Sequence, residues 1–404
     1  MLKKTTSNSF LTIASFVGMM TIGMTYGSLG ALLVPIAQFF HTKLISVGYP
    51  MVFFSLGFLV GTLLVSVAWQ IRRARLFLTF FSSINIFALL FIYAIHPNLN
   101  VVLIFLLISG MASAVIHSGL DSFFAEIYPK NRAKMLNILH VFFGLGGFLG
   151  PFVISLILSA NISWYLIFLL MALLSIPLPL LYSRKSPYQN LEFVPMEKEA
   201  PRSAAKTIFF KPLFWITMGS MFFYVATETA MTSWTSVFLT EVRQFYPAVG
   251  SFGVSLVWLT IILGRVFFSR YLKFHNLSFF LIISSLLNIF FIFMFFFLKQ
   301  IEMEFLFLII SGLLLSFMYP GLLAQGGDLF PYQIGYVIGA MGASGTIGSI
   351  ITPWILGPLS EKFSMARIVF LLPVLSLITA LFLITIHCFR YSTYNSAINP
   401  QIGQ

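Results

Sequence analysis

The sequence predicts an all-α integral membrane protein whose twelve transmembrane helices form two related halves of six. Hydrophobic residues make up 59% of the 404-residue chain, whereas charged residues make up only 8%. Twelve apolar stretches are each close to the roughly 20 residues that cross a bilayer. One long polar stretch divides them into two sets of six. Because a lipid-facing backbone must satisfy its own amides, and because these stretches are too long for barrel strands, the spans are predicted to be helices.

Each span is bounded by short polar or basic segments. The first span could be mistaken for a secretory signal, since Lys3 and Lys4 precede it, but the apolar run is too long and no cleavage pattern follows it. We predict spans at about 10–34, 49–69, 76–96, 101–126, 138–160, 164–183, 212–240, 248–268, 278–299, 305–327, 335–358 and 367–389.

The polar segment 184–211 is the longest break between spans. It contains Pro187, Pro195 and Pro201 together with glutamates and lysines, so it is predicted to be a linker. The predicted domains are therefore an N-terminal half at 1–183 and a C-terminal half at 212–404.

The basic residues predict the orientation. With both termini in the cytoplasm, eighteen of the 23 Lys and Arg fall on the inside, which follows the positive-inside rule and also makes the linker cytoplasmic. The formal charge of +12 is then explained by topology and by contact with anionic lipid. No nucleic-acid partner is needed.

The two halves carry a weak internal repeat. Ser109-Gly110 in the fourth span and Ser311-Gly312 in the tenth lie 202 positions apart, as do Pro151 and Pro353. Several landmarks at one displacement indicate a duplicated architecture whose halves surround a central site.

These features resemble the major facilitator superfamily and, within it, the fucose:proton symporter group. The matching segments are Leu136–Pro151, Trp258 to Gly264-Arg265, Tyr319-Pro320, and Glu228 ahead of Trp234. The resemblance implies alternating access around a cavity lined by the first, fourth, seventh and tenth helices. It also implies a monomer in a bacterial inner membrane, without a cofactor.

Two positions depart from that group. The loop at 66–75 keeps the basic cluster usual in the superfamily but lacks its acidic residue. In the fourth span, His117 and Asp121 stand where the group commonly has an acidic residue and then an asparagine.

Glu228 is the first candidate for proton coupling. It lies near the middle of the seventh span, where an ionised carboxylate costs about 2.5–3.5 kcal/mol on insertion scales. It is therefore expected to face the bundle interior and to bind a proton reversibly. The alternative is a protonated glutamate that only joins two helices.

His117 and Asp121 are the second candidates for coupling. They are four residues apart and share one helix face, so the pair could hold or pass one proton. The alternative is an interhelical polar contact. A metal site is not predicted, because two ligands are too few without other donors. His140, which begins the fifth span, is expected to be structural.

Five further residues are predicted to bind substrate because they supply hydroxyl, amide or aromatic groups within those four spans. Trp234 offers a flat face beside hydroxyl residues, although it could instead be an interfacial anchor. Tyr319 precedes Pro320, which can kink the tenth helix. The predicted substrate-binding residues are Thr25, Tyr26, Trp234, Tyr319 and Gln325.

The sequence thus predicts a secondary active transporter for a small polar, sugar-like solute, with a proton as the coupling ion. One alternative keeps the fold but moves a drug, metabolite or siderophore. A membrane-embedded enzyme is disfavoured, because no loop is large enough to build a reaction site. Direct use of ATP is also disfavoured, since the sequence has no phosphate-binding loop.

Overall fold

The computed structural model describes residues 2–42, 48–68, 74–96, 98–128, 132–183, 208–271 and 277–398. Within these ranges each predicted span corresponds to one helix or to a pair of consecutive helices, and no strand is present. The all-α prediction is therefore confirmed. The predicted linker lies mostly outside the described residues, as do residues 69–73 of the basic loop at 66–75.

The first six spans are mostly single helices. The sixth is interrupted at Ile176, just before Pro177. The helices are Leu2–Phe40, Tyr49–Ala68, Ala74–Ala94, Leu99–Ile127, Arg132–Ser159, and the pair Leu166–Ser175 and Pro177–Ser183.

The last six spans contain more interruptions. The seventh ends in a π-helical turn at Phe238–Val242, and the tenth is broken between Leu315 and Met318. The helices are Pro212–Val237, Pro247–Tyr271, Leu277–Phe297, the pair Ile301–Leu315 and Met318–Leu329, Ile334–Phe363, and the pair Met365–Ile368 and Leu371–Ile398.

Nine helices in the described part of the chain are long and apolar enough to cross a membrane. The second span, counted there over Tyr49–Val65 alone, is a shorter apolar helix, and the seventh and eleventh spans, at 26 and 30 residues, fall outside the set of nine although they are long enough. The seventh carries Glu228 among many hydroxyl residues, and the eleventh is rich in glycine.

The helices group into two compact units. The first unit holds Met1–Phe193, Met231–Ile262 and Ile350–Ile368, and the second holds the remaining residues. The units differ from the predicted halves because parts of the seventh, eighth and eleventh spans pack with the first six helices. The predicted boundaries at 183 and 212 stay a prediction, since residues 184–207 are not described.

Hydrogen bonds within the first unit join spans that are distant in sequence. Ser155 Oγ donates to the Ala248 carbonyl at 2.9 Å, and Ser251 Oγ donates to the Ala31 carbonyl at 3.3 Å. Ser233 Oγ lies 2.7 Å from Met51 Sδ. The seventh and eighth spans are thereby fastened to the first, second and fifth.

The internal repeat is visible as the same buried hydrogen bond in each unit. Ser109 Oγ donates to Asn85 Oδ1 at 2.7 Å, and Ser311 Oγ donates to Asn288 Oδ1 at 2.7 Å. Each bond joins the third and fourth helices of its own half. Buried polar pairs of this kind fix which faces of two helices meet.

Close backbone packing joins the second and fourth spans. A Cβ at Gly57 would collide with the Leu107 carbonyl oxygen, and a Cβ at Gly110 would collide with the Phe54 carbonyl oxygen. Small residues at such contacts allow the van der Waals packing that holds helices together in lipid.

We therefore expect Gly57→Ala to destabilise the protein by about 1–3 kcal/mol, because the added methyl must push two backbones apart. Gly342→Ala is the matched control, since a Cβ at Gly342 meets nothing within 4 Å. The control should leave stability unchanged or raise it by up to about 1 kcal/mol. Thermal unfolding of both variants in detergent, followed by tryptophan fluorescence, checks this. Equal melting temperatures would show that the close packing is unimportant.

Candidate functional site

A network of Tyr224, Glu228 and Arg265 occupies the second unit. Tyr224 and Glu228 are one turn apart on the seventh span, and the Tyr224 hydroxyl donates to Glu228 Oε1 at 3.0 Å. Arg265 on the eighth span places Nη2 3.8 Å from the same oxygen. The side chains of Glu228 and Arg265 are 15% and 20% exposed. The carboxylate therefore has both a hydrogen-bond donor and a positive counter-charge in a largely buried place.

The break in the tenth span supplies carbonyl oxygens to this network. Pro320 has no N–H, so the Ser316 carbonyl one turn earlier lacks its usual helical donor. Arg265 Nε donates to that carbonyl at 3.2 Å. The Tyr224 hydroxyl also lies 3.3 Å from the Leu315 carbonyl. The predicted kink corresponds to this break, and both partners of Glu228 thereby contact carbonyl oxygens of the tenth span.

Tyr319 is brought to the same region. Its ring centroid is 6.3 Å from that of Tyr224. Gln325 does not join the network. Its side chain is buried, and its Nε2 donates to Ser278 Oγ on the ninth span at 2.9 Å. A small cavity lies beside Tyr224 and Thr227, with room for about one water-sized molecule. It is too small for a sugar-like solute.

The first unit holds a second polar cluster on the fourth and fifth spans. His117 Nδ1 is 3.3 Å from Asp121 Oδ2, and His140 Nε2 is 3.3 Å from Asp121 Oδ1. Their side chains are between 17% and 33% exposed. The predicted pair is thus a group of three, and His140 is its additional member.

An aromatic wall lies next to this cluster. The Phe143 ring is 5.4 Å from His117 and 6.1 Å from both Tyr26 and Trp258. Tyr26 also meets Trp258 edge to face at 6.1 Å. Tyr26, which is predicted to bind substrate, therefore contacts the Phe143 ring, and that ring in turn contacts His117.

Two other predicted binding residues point into packed interiors. Thr25 is buried, and its hydroxyl donates to the Thr21 carbonyl at 3.0 Å and lies 3.6 Å from Met171 Sδ. Trp234 is fully buried, so it does not occupy the exposed position of an interfacial anchor. Its Nε1 has no hydrogen-bond partner among the described residues. Any contact of either residue with a solute requires the surrounding packing to open.

Sequence reasoning missed two members of these clusters. Arg265 was one of the eighteen basic residues assigned to the inside by the positive-inside rule, although an arginine within an apolar span is itself a signal for an intramembrane partner. His140 was assigned a structural role because it begins the fifth span, next to glycines that permit tight helix packing. Only the packing of the fourth span on the fifth brings the two imidazoles together.

The sequence profile of the Major Facilitator Superfamily matches residues 13–353. The chain belongs to this superfamily. It is 23% identical over 356 residues to a "Protein TsgA homolog" of Buchnera aphidicola subsp. Baizongia pistaciae. The alignment covers 88% of this chain and 89% of that protein.

Solved structures of the superfamily share the fold of this chain. The crystal structure of a D-xylose-proton symporter has a TM-score of 0.74 at 12% identity, covering 93% of this chain and 96% of the symporter. The transporter FucP in its outward conformation has a TM-score of 0.63 at 13% identity, covering 94% and 98%. The predicted major facilitator fold is confirmed. The chain is a multi-pass membrane transporter of the secondary type.

Proposed function

We propose that this transporter couples the movement of a small polar, sugar-like solute to a proton, with Glu228 as the proton-binding group. The observation that carries the proposal is the Tyr224–Glu228–Arg265 network. A carboxylate held between a hydroxyl and a guanidinium inside the bundle has two stable arrangements. It is ionised and paired with Arg265, or it is protonated and hydrogen-bonded to Tyr224.

The separation of Glu228 and Arg265 favours exchange between these arrangements. At 3.8 Å, the two atoms are beyond the 2.7–2.9 Å of a charge-assisted hydrogen bond. Protonation of Glu228 would weaken its attraction for Arg265 and leave the guanidinium with its other partner, the Ser316 carbonyl at the break of the tenth span. A proton on Glu228 would thereby change the contacts of the seventh, eighth and tenth spans together.

Alternating access supplies the remaining part of the proposal. The hydrogen bonds that fasten Ala248 and Ser251 of the eighth span to the first and fifth spans must break in one half of the cycle. One protein with this fold, the D-xylose-proton symporter, is named for a sugar and a proton. That name and the row of aromatic rings beside Tyr26 favour a sugar-like solute.

The second candidate function keeps the fold but moves another compound, such as a drug, metabolite or siderophore. The aromatic wall of Tyr26, Phe143 and Trp258 favours it, because flat apolar surfaces also bind non-sugar rings. Uptake and efflux of a labelled solute panel in proteoliposomes with an imposed pH gradient separates the two candidates. Accumulation of sugars or polyols supports the first, and accumulation of other classes alone supports the second.

We also propose that both termini and the linker at 184–211 face the cytoplasm of a bacterial inner membrane. A cysteine placed at position 190, with the exposed Cys388 replaced, should resist an impermeant thiol reagent in intact cells. The same cysteine should react once the cells are opened. Ready labelling in intact cells would reverse the orientation. A position in a predicted outer loop, such as Gln244, gives the positive control for labelling.

The proposed coupling role of His117 and Asp121 stays a prediction. It requires that these side chains exchange a proton during transport. Their contact with His140 also permits a different role for them.

A further inference from the structure

The group formed by His117, Asp121 and His140 has the composition of a transition-metal site. Two imidazoles and one carboxylate are the ligand set that zinc and other divalent first-row ions bind in proteins. The ligand atoms all lie within 4.8 Å of one another, and they come from two helices that pack directly together. His117 and Asp121 share one face of the fourth span, and His140 approaches from the fifth.

The two imidazole–carboxylate distances are close to those between ligands of one ion. Each carboxylate oxygen of Asp121 has one imidazole nitrogen at 3.3 Å. That separation is about the edge of a tetrahedron whose metal–ligand bonds are roughly 2.0–2.1 Å. A charge-assisted hydrogen bond would bring the same atoms to about 2.7–2.9 Å.

Asp121 Oδ1 adds a further observation. This oxygen is itself buried, and its only imidazole neighbour among the described residues, His140 Nε2 at 3.3 Å, does not reach good hydrogen-bond geometry. A buried carboxylate oxygen without a well-formed hydrogen bond is costly. A cation bound between the carboxylate and the two imidazoles would satisfy it.

The surroundings hold the ligands in place. The His117 ring has edge contacts with Phe58 at 5.7 Å and with Phe143 at 5.4 Å, and it meets the His140 ring at 5.3 Å. Packing that restricts a ligand's rotamers lowers the cost of binding an ion. The three side chains are also partly exposed, so an ion could reach them.

We propose that His117, Asp121 and His140 form a binding site for one divalent first-row transition-metal ion of the zinc, cobalt or nickel type. Hard ions such as Mg²⁺ and Ca²⁺ are disfavoured, because two of the three ligands are imidazoles. Three protein ligands leave at least one coordination position for water or a cargo molecule. The proposal stands independently of proton coupling at Glu228.

Cobalt is the probe, because the visible absorption of Co²⁺ reports its ligands. The full-length protein is purified without a polyhistidine tag and with Cys388→Ser as the background. We expect one Co²⁺ bound per chain with a visible ligand-field spectrum, and displacement by Zn²⁺. His140→Gln and Asp121→Asn should each weaken binding about tenfold or more. His387→Gln, which removes an exposed imidazole elsewhere, should bind as the background protein does.

The variant His140→Cys provides a second test of the site if His140→Gln or Asp121→Asn folds poorly. A thiolate at this position retains a ligand, so the variant should still bind Co²⁺ and should gain an intense thiolate-to-metal charge-transfer absorption. Saturable binding that is equal in the background protein and in His140→Gln would overturn the proposal. So would a background protein that binds no Co²⁺ at millimolar concentration, or a folded His140→Cys variant without the new absorption.

Discussion

Glu228→Gln is expected to abolish solute accumulation driven by a pH gradient while leaving solute binding and exchange intact. Glutamine keeps an oxygen that can accept the hydrogen bond from Tyr224, which the glutamate accepts at 3.0 Å. It cannot gain or lose a proton. The variant should therefore resemble a transporter fixed in its protonated state, and its pH-driven accumulation should fall to the level of vesicles without protein.

The measurement compares gradient-driven accumulation with equilibrium exchange of the same labelled solute. Glu302→Gln is the control, because Glu302 is exposed at the start of the tenth span and lies away from Arg265. It should behave as the parent protein does. Normal accumulation by Glu228→Gln would remove Glu228 from the coupling mechanism. Loss of folded protein in that variant alone would favour a packing role.

The second large effect concerns the stability of the ion pair. Glu228→Met removes the counter-charge of Arg265 and leaves the guanidinium largely buried with the Ser316 carbonyl. An uncompensated charge of this kind costs up to about 3 kcal/mol, and the partial exposure of Arg265 lowers that figure. Replacing Arg265 as well removes the buried positive charge and should recover most of the lost stability.

The double variant Glu228→Met/Arg265→Met is therefore expected to unfold closer to the parent protein than Glu228→Met alone. Thermal unfolding of the parent, both single variants and the double variant gives the coupling energy. Lys299→Met in the Glu228→Met background is the control, since Lys299 is exposed, and it should recover nothing. Additive effects of the two substitutions would show that the pair does not interact.

Most of the fold was predictable because lipid imposes a simple rule on the sequence. Every crossing segment must be a long apolar helix, so the spans can be located by composition alone. The kink of the tenth span was also predictable, because Pro320 lacks the amide that its carbonyl partner needs. The internal repeat was recognised from Ser109 and Ser311, and both serines donate to an asparagine on the preceding helix.

The site was predictable only in part, because sequence shows which residues are unusual in lipid but not which of them meet. Glu228 and the His117–Asp121 pair were identified because ionisable side chains are unusual within an apolar span. Their partners Arg265 and His140 lie on other helices, and their contacts depend on how those helices pack. Trp234 is fully buried in the structure, which the sequence did not show, and its contact with a solute stays a prediction.

The central claim is that solute and proton move together through this protein. It is tested most directly by recording the external pH of proteoliposomes while a solute enters down its own gradient, with no pH gradient imposed. For the parent protein, we expect the external medium to become more alkaline as the solute enters, and we expect no such change with Glu228→Gln. Solute entry into the parent vesicles without any change in external pH would contradict it.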